Sequence, residues 1–351
     1  MTAHPPCPVR VMIVEDSAVM RGLITHALED VPEIQIVATA FDGAMAIENL
    51  KHTQADVILL DIEMPCMDGI TALPQLLKIS PQSRVIMVSD LMLPNATITL
   101  RALELGASDY IAKPSARNNQ NETQQFYRDL IQKIKALTPH RHMDSVSAEL
   151  LRYHALAYPT IPVKAIAIGS STGGPQALGT IFEGLASQFP RQPVFITQHM
   201  PSGFTTILAR HLSQLVQHPC VEGKDGEVVQ DSSVYLAPGD YHMVPEKLGS
   251  KTIIRINQDP LVNFCRPAID PMLHALLKIY GKHLLVVILT GMGCDGLAGS
   301  RAIAAQGGTI IAQDAGTSVV WGMPRAVTES KLCSAVLPVN EIAPYIIRAC
   351  I

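Results

Sequence analysis

The sequence predicts two α/β domains in tandem, each built on a parallel sheet covered on both faces by helices. Three observations carry the prediction. At 351 residues the chain exceeds what one core holds, since domains usually run about 100–200 residues. Short, continuously apolar, β-branched runs alternate with helix-length segments, the pattern of strands buried on both faces. Hydrophobic residues make up 48 % and charged residues 17 %, against about 25 % charged in an ordinary soluble chain, so apolar surface is ample and global disorder is excluded.

In the first half, strands are expected at residues 9–14, 34–38, 57–60, 85–88 and 109–111. Helices are expected at 18–28, 44–50, 70–78 and 96–105. Five βα units follow. Residues 115–125, rich in Asn and Gln, read as a loop, and apolar residues at 126, 127, 130, 131, 134 and 137 give the face of a closing helix. From 138 to 162 the pattern breaks, with Pro139, Pro159 and Pro162, and this stretch reads as a linker holding one short helix. His140, His142 and His154 lie there without a Cys or carboxylate cluster, so they read as solvated side chains rather than metal ligands. The expected domains are therefore 1–137 and 163–351, joined by 138–162.

Charge and cysteine usage exclude several classes. Up to Leu137 there are 11 Lys+Arg against 16 Asp+Glu, and after it 16 against 15. Neither half is basic, so no nucleic-acid footprint is expected. No stretch approaches about 20 continuously apolar residues, which argues against membrane insertion. Residues 1–8 contain three prolines and no Lys or Arg, unlike a secretory signal, so a cytoplasmic protein is expected. The seven cysteines are odd in number, scattered and without a C-x-x-C pair; reduced thiols are expected, and no zinc site.

Open parallel sheets bind ligands at the carboxyl ends of their strands. In the first half those ends carry Glu15 and Asp16, Asp61, Ser89, and Lys113 before Pro114. A lone strand-end Asp is ordinarily a helix cap. Three carboxylates on one edge repel one another unless a hard cation neutralises them, and Mg²⁺ favours carboxylate and water oxygens.

The segments Val11-Met12-Ile13-Val14-Glu15-Asp16-Ser17, Leu59-Leu60-Asp61-Ile62-Glu63-Met64-Pro65 and Gly106-Ala107-Ser108-Asp109-Tyr110-Ile111-Ala112-Lys113-Pro114 resemble the receiver domain of two-component response regulators over roughly residues 9–135. The resemblance implies that a histidine kinase phosphorylates Asp61. It implies that Glu15, Asp16 and Asp61 hold Mg²⁺, that Lys113 pairs with phosphoryl oxygens, that Ser89 donates to the phosphoryl group, and that Tyr110 is the aromatic switch. Glu15 stands where the family more often has Asp.

In the second half, a buried strand at 165–168 is followed by Gly169-Ser170-Ser171-Thr172-Gly173-Gly174-Pro175 and a helical run at 176–185. Gly169-x-Ser171-x-Gly173 between strand and helix is the setting of a nucleophile elbow. A glycine-rich turn before a helix equally suits a phosphate, because helix-start N–H groups attract anions. The spacing is neither G-x-G-x-x-G nor the Walker pattern. The strand at 194–196 ends in Thr197-Gln198-His199, and the strand at 284–289 ends in Thr290-Gly291-Met292-Gly293-Cys294-Asp295. Ser171, His199 and Asp295 thus supply nucleophile, general base and base-orienting carboxylate for acyl transfer.

Residues 163 to about 350 resemble the catalytic domain of the chemotaxis protein-glutamate methylesterases, the CheB family. The matching segments are 168–175, 196–201 and 289–296, with Ala312-Gln313-Asp314, Gly322-Met323-Pro324, Ala237-Pro238-Gly239, His242-Met243 and Arg266-Pro267. A receiver joined to this domain is the family's own architecture. The resemblance implies a doubly wound, mainly parallel methylesterase domain behind the (βα)₅ receiver, with Ser171, His199 and Asp295 as catalytic triad. It implies hydrolysis of γ-glutamyl methyl esters, and deamidation of glutamines, on methyl-accepting chemoreceptors, with a chemotaxis histidine kinase as phosphodonor and no cofactor for ester hydrolysis. Met292 and Thr172 are the implied oxyanion region. Cys294 stands where the family usually has Asn, and as a nucleophile it lacks a base-adjacent elbow. Two other classes fit parts of the chain: a receiver-linked nucleotide-binding protein using 169–174 for phosphate, and a non-catalytic adaptor that docks on receptors.

Overall fold

The computed structural model describes residues 7–89, 93–114, 120–138 and 157–350. Asp90 and the histidines at 140, 142 and 154 lie outside the described residues. The chain divides into two compact units, Met1–Met143 and Asp144–Ile351.

The first unit runs β1 (Val9–Val14), α1 (Ala18–Glu29), β2 (Ile34–Ala40), α2 (Gly43–His52), β3 (Val57–Asp61), α3 (Gly69–Ile79), β4 (Arg84–Ser89), α4 (Leu93–Glu104), β5 (Asp109–Ala112) and α5 (Gln120–Leu137). The strands form one parallel sheet in the order β2-β1-β3-β4-β5. The continuous apolar runs have the reason given above: Val11–Val14 and Val57–Leu60 are buried along their whole length, because α1 and α5 pack together and α2, α3 and α4 pack in succession. Side-chain caps start three helices. Ser17 Oγ accepts from Met20 N, Asp42 Oδ1 from Met45 N, and Asp68 Oδ1 from Thr71 N.

The loop expected at 115–125 is corrected over its second part, because α5 begins at Gln120. The stretch has no Gly or Pro, Gln120, Glu122, Gln124 and Gln125 are good helix formers, and Gln125 Nε2 bonds Asp129 Oδ1 at 2.7 Å one turn on.

The second unit contains β6 (Ala165–Ser170), α6 (Gly174–Leu185), β7 (Val194–Gln198), α7 (Phe204–Val216), β8 (Cys220–Glu222) and β9 (Val234–Leu236). The short strands β10 (His242–Met243), β11 (Glu246–Leu248), β12 (Lys251–Ile253) and β13 (Ile256–Asn257) follow. Then come α8 (Ile269–Tyr280), β14 (Leu284–Ile288), α9 (Leu297–Ala305), β15 (Thr309–Gln313), α10 (Met323–Glu329), β16 (Ala335–Leu337) and α11 (Val339–Cys350). Seven strands form a parallel sheet in the order β16-β15-β14-β6-β7-β9-β8. The pairs β10–β13 and β11–β12 are antiparallel.

The chain leaves β6 toward β7 on one side and returns to β14 on the other, so the winding reverses at β6. That reversal opens a crevice at the carboxyl edge, where ligands of doubly wound sheets bind. Beneath it the core is apolar throughout, with Phe195, Tyr235, Ile269, Val286 and Ile288 buried in one cluster.

The last part of the expected linker packs on the second unit. Tyr158 stacks on Tyr345 with ring centroids 4.8 Å apart, and His283 Nδ1 donates to Pro162 O at 2.8 Å.

Candidate active site and phosphoacceptor pocket

At the carboxyl edge of the first sheet, the ligand oxygens of Glu15, Asp16 and Asp61 all lie within 4.8 Å of one another. Glu15 and Asp61 are buried and Asp16 is exposed. Lys113 Nζ lies 2.9 Å from Asp61 Oδ2 and 3.1 Å from Glu15 Oε2. Those two oxygens are buried without a well-aligned hydrogen bond, so one ammonium serves two carboxylates. Burial, then the Asp61 charge, pushes the Glu15 carboxyl up to about 7 against the pull of Lys113. Burial also raises Asp61, opposed by Lys113. A hard cation with oxygen preference fits such a set, because its charge relieves both carboxylates.

The remaining predicted residues of this pocket sit close by in the sheet. Ser89 ends β4, is buried, and accepts a hydrogen bond from Thr99 Oγ1 at 3.1 Å. Lys113 N donates to Ser89 O at 2.8 Å, which fixes the loop after β5. Tyr110 is turned inward and buried, with Lys133 Nζ 5.8 Å from its ring centroid. Gly69, unremarked in the sequence, is required here: a Cβ would sit 2.0 Å from the carbonyl oxygen of Asp61. A cleft of about 690 Å³ lined by Asp16, Ile62, Glu63 and Met64, among others, gives access from solvent.

In the second sheet, Ser171, His199 and Asp295 follow β6, β7 and β14, which are adjacent. Backbone bonds lock the strand ends: Ser171 N donates to Thr290 O at 3.0 Å, and His199 N to Ser170 O at 3.1 Å. Gln198 ties the same ends together, accepting from Ser170 Oγ at 2.6 Å and donating to Ser171 O and His199 O at 3.0 and 3.1 Å.

Asp295 is 2 % exposed. Its carboxylate accepts from His199 Nε2 at 2.8 Å, Ile269 N at 2.6 Å, Asp270 N at 3.2 Å, Gly296 N at 3.0 Å and Asn263 Nδ2 at 3.0 Å. Ile269 and Asp270 open α8, so the carboxylate caps a helix start. Burial pushes Asp295 up, but these donors and the His199 charge outweigh it and hold the carboxyl below its ordinary value.

His199 therefore has one nitrogen committed. With Nε2–H given to Asp295, the neutral ring presents Nδ1 as its basic nitrogen, and Nδ1 faces Cys265 Sγ at 3.5 Å. Ser171 Oγ makes no hydrogen bond among the described residues. The expected Ser171–His199 bond is thus not closed, since Cys265 holds the nitrogen; catalytic contacts often tighten only in the substrate complex.

The glycines of the turn are filled by protein rather than open to a ligand. A Cβ on Gly173, whose φ is +75°, would meet Val319 at 2.5 Å, and one on Gly174 would meet Gln198 Oε1 at 2.0 Å. This removes the reason to read 169–174 as a phosphate cradle. A Cβ on Gly291 would meet Ser171 Cβ at 2.6 Å, so that glycine lets the neighbouring turn approach Ser171. Thr290 supports the approach, its Oγ1 donating to Thr172 O at 2.8 Å and its N–H to Gln313 Oε1 at 2.9 Å. The Met292 N–H donates no hydrogen bond among the described residues, and Met292 follows Gly291 directly. Thr172 is buried beside Ser171.

Comparison with known proteins now decides the family. The family described as CheB methylesterase matches residues 166–346, and the response regulator receiver domain matches residues 11–123. The chain belongs to the CheB methylesterase family. Similar curated proteins include two named protein-glutamate methylesterase/protein-glutamine glutaminase 1. That of Rhodospirillum rubrum is 46 % identical, covering 97 % of this chain and 95 % of its own. That of Paramagnetospirillum magneticum is 46 % identical, covering 99 % of both. The crystal structure of the Thermotoga maritima CheB methylesterase catalytic domain is 40 % identical, covers 54 % of this chain and 99 % of that one, and has a TM-score of 0.51. Membership of the CheB family makes this chain a receiver-bearing ester hydrolase.

Several residues of the CheB site escaped the sequence reading. Asn263, Cys265 and Asp270 carry no motif spacing that points to the triad, since Asn263 and Asp270 reach Asp295, and Cys265 reaches His199, only in the fold. Gln198 stood inside the segment 196–201 without a role attached. Gln313 and Arg266-Pro267 did stand inside segments that resemble the family, without a role attached. No helix among the described residues is long and apolar enough to cross a membrane.

Proposed function

We propose that the chain is a phosphorylation-regulated esterase that hydrolyses γ-glutamyl methyl esters on methyl-accepting chemoreceptors, and deamidates receptor glutamines, through Ser171, His199 and Asp295. The observation that carries this is the Asp295–His199 pair on the strand ends flanking Ser171. Neutral His199, its Nε2–H held by Asp295, takes the Ser171 proton on Nδ1 once Cys265 yields that nitrogen. Oγ attacks the ester carbonyl, and the oxyanion is met by the Met292 N–H with Thr172 alongside. Collapse breaks the C–O bond, the imidazolium returns its proton, and methanol leaves. Water then repeats the sequence on the acyl-enzyme, giving glutamate and free Ser171. A glutamine amide follows the same path with ammonia as leaving group.

The regulatory half is the receiver of residues 1–137, joined by 138–162 to the effector of 163–351. Asp61 is the phosphoacceptor and a chemotaxis histidine kinase the donor. Glu15, Asp16 and Asp61 would hold Mg²⁺, which when bound screens charge between carboxylate and phosphoryl group. Lys113 neutralises the same charge from the protein side, Ser89 donates to the phosphoryl group, and Tyr110 responds behind it. The reaction is placed in the cytoplasm, where receptor methylation helices are reached without crossing a membrane.

Methanol release from methylated receptor membranes tests this. Wild type with a phosphodonor should release methanol fastest, Asp61→Ala should ignore the donor, and Ser171→Ala should release none. Equal rates in all three would overturn the reading.

A further inference from the structure

Beside the triad, residues 262–265 form a two-residue hairpin turn. Val262 and Cys265 exchange backbone hydrogen bonds at 3.1 and 2.9 Å, with Asn263 at φ 52° and Phe264 at φ 63° between them. Both central residues at positive φ define a turn whose second position is ordinarily Gly. A bulky aromatic there is an outlier of the kind that persists at functional sites because the surroundings hold it.

Those surroundings are the active site. Asn263 Nδ2 donates to Asp295 Oδ1 at 3.0 Å and to Asp270 Oδ2 at 3.3 Å, and Cys265 Sγ meets His199 Nδ1 at 3.5 Å. Phe264 stands between two residues that each touch the triad, within about 3.8 Å of each along the backbone. Yet its side chain is 95 % exposed, and Leu261 just before the turn is 57 % exposed.

We infer that Phe264 is a specificity-determining contact for the macromolecular substrate: it takes an apolar side chain of the helix that carries the esterified glutamate. The inference rests on the esterase reading above. A γ-ester reaching Ser171 brings its own helix over the mouth, and residues one turn away, about 5.4 Å along the axis, land on the rim. The rim offers an exposed aromatic on a hydrogen-bonded turn, and with only two side-chain torsions it binds an apolar partner with little ordering cost. Folding alone gives no reason to hold a phenyl ring in water at a strained position.

The test compares two substrates on the full-length protein, activated by phosphodonor: methylated receptor membranes and a small γ-methyl glutamate ester. Phe264→Gly suits the turn better and removes the ring. Its KM for receptor should rise about tenfold, its rate on the small ester should stay within about twofold of wild type, and Phe264→Leu should recover part of the receptor KM. Equal losses on both substrates would make the turn a support for the triad and overturn the inference. Unchanged receptor kinetics would overturn it too, as would a higher receptor rate without phosphodonor, which would assign the ring to a contact with the receiver. No hydrolysis of either substrate by wild type would instead overturn the esterase reading, and this inference with it.

Discussion

Cys265 holds the nitrogen of His199 that the proposed mechanism gives to Ser171. Its sulfur lies 3.5 Å from Nδ1, across the ring from the 2.8 Å bond between Nε2 and Asp295. Burial lowers the His199 pKa, but the hydrogen bonds to Asp295 and Cys265 and the Asp295 charge raise it to about 10. A general base works only when neutral, so kcat/KM should climb with pH along an acid limb above the ordinary histidine range. Removing the thiol removes one of the raising influences, the sulfur that accepts from the protonated ring. Cys265→Ala should therefore shift that limb to lower pH and increase the rate at pH 7. A pH–rate profile whose acid limb stays put would refute this.

The same pair makes a stability prediction with the opposite sense. His199 has a folded pKa above its unfolded value of 6.5, so its stabilising contribution is complete below pH 6.5 and is lost as pH rises toward about 10. Denaturant melts of the second domain should show a declining midpoint across that window, and His199→Gln should flatten the decline.

Ser171 and Asp295 should separate activity from stability. The Ser171 hydroxyl makes no hydrogen bond among the described residues, so Ser171→Ala should abolish methanol release with a stability change within about 0.5 kcal/mol. Asp295→Asn trades a buried carboxylate with five donors for an amide that can accept on one oxygen only. A loss of about 10⁴ in kcat and a clear drop in thermal midpoint should accompany it.

Gly291→Ala forces a methyl group to within 2.6 Å of Ser171 Cβ and 2.7 Å of Met323 Sδ. Overpacking of this kind costs about 1–3 kcal/mol. Because the strain falls on the nucleophile, kcat should fall more than the thermal midpoint suggests, as paired kinetics and calorimetry would show.

The phosphoacceptor pocket responds to cation and pH together. Burial and then Asp61 raise Glu15 from 4.5 to about 7, so the stability its neutral form contributes is present below pH 4.5 and lost as pH rises through about 7. Added Mg²⁺ should restore the first domain's thermal midpoint at pH 7.5. Chelation should reverse the gain, and Asp61→Ala should diminish it.

Most of the scaffold could be read from the chain because its strands are buried on both faces. Val57–Leu60 is apolar at every position for that reason, and its short length and alternation with helix-length segments mark it as a strand. Strand-end residues were legible for a related reason, since a fold with one active edge puts Glu15, Asp61, Ser171, His199 and Asp295 at known offsets from those runs. The hidden part is what approaches that edge from outside. Cys265 and Asn263 sit in a turn with no periodicity, and only the fold brings Cys265 to the imidazole and Asn263 to the Asp295 carboxylate. The start of α5 was also concealed, because the turn-favouring Asn residues are interleaved with helix-favouring Gln and Glu, and Gln125 finds Asp129 only in the helix.

The reversal of winding at β6 also sets an order of events during synthesis. The first sheet closes with β5, so every residue of the phosphoacceptor pocket has emerged by Lys113, and the receiver can fold as a unit ahead of the rest. The esterase has the opposite schedule. Its nucleophile strand lies at the centre of the second sheet but gains its β14 neighbour, and Asp295, only after more than a hundred further residues have been made. Until then Ser171 has no orienting carboxylate within reach, so the newborn chain is a regulator before it is a hydrolase. The last residue of the proposed triad is thus made well after the last residue of the phosphoacceptor pocket.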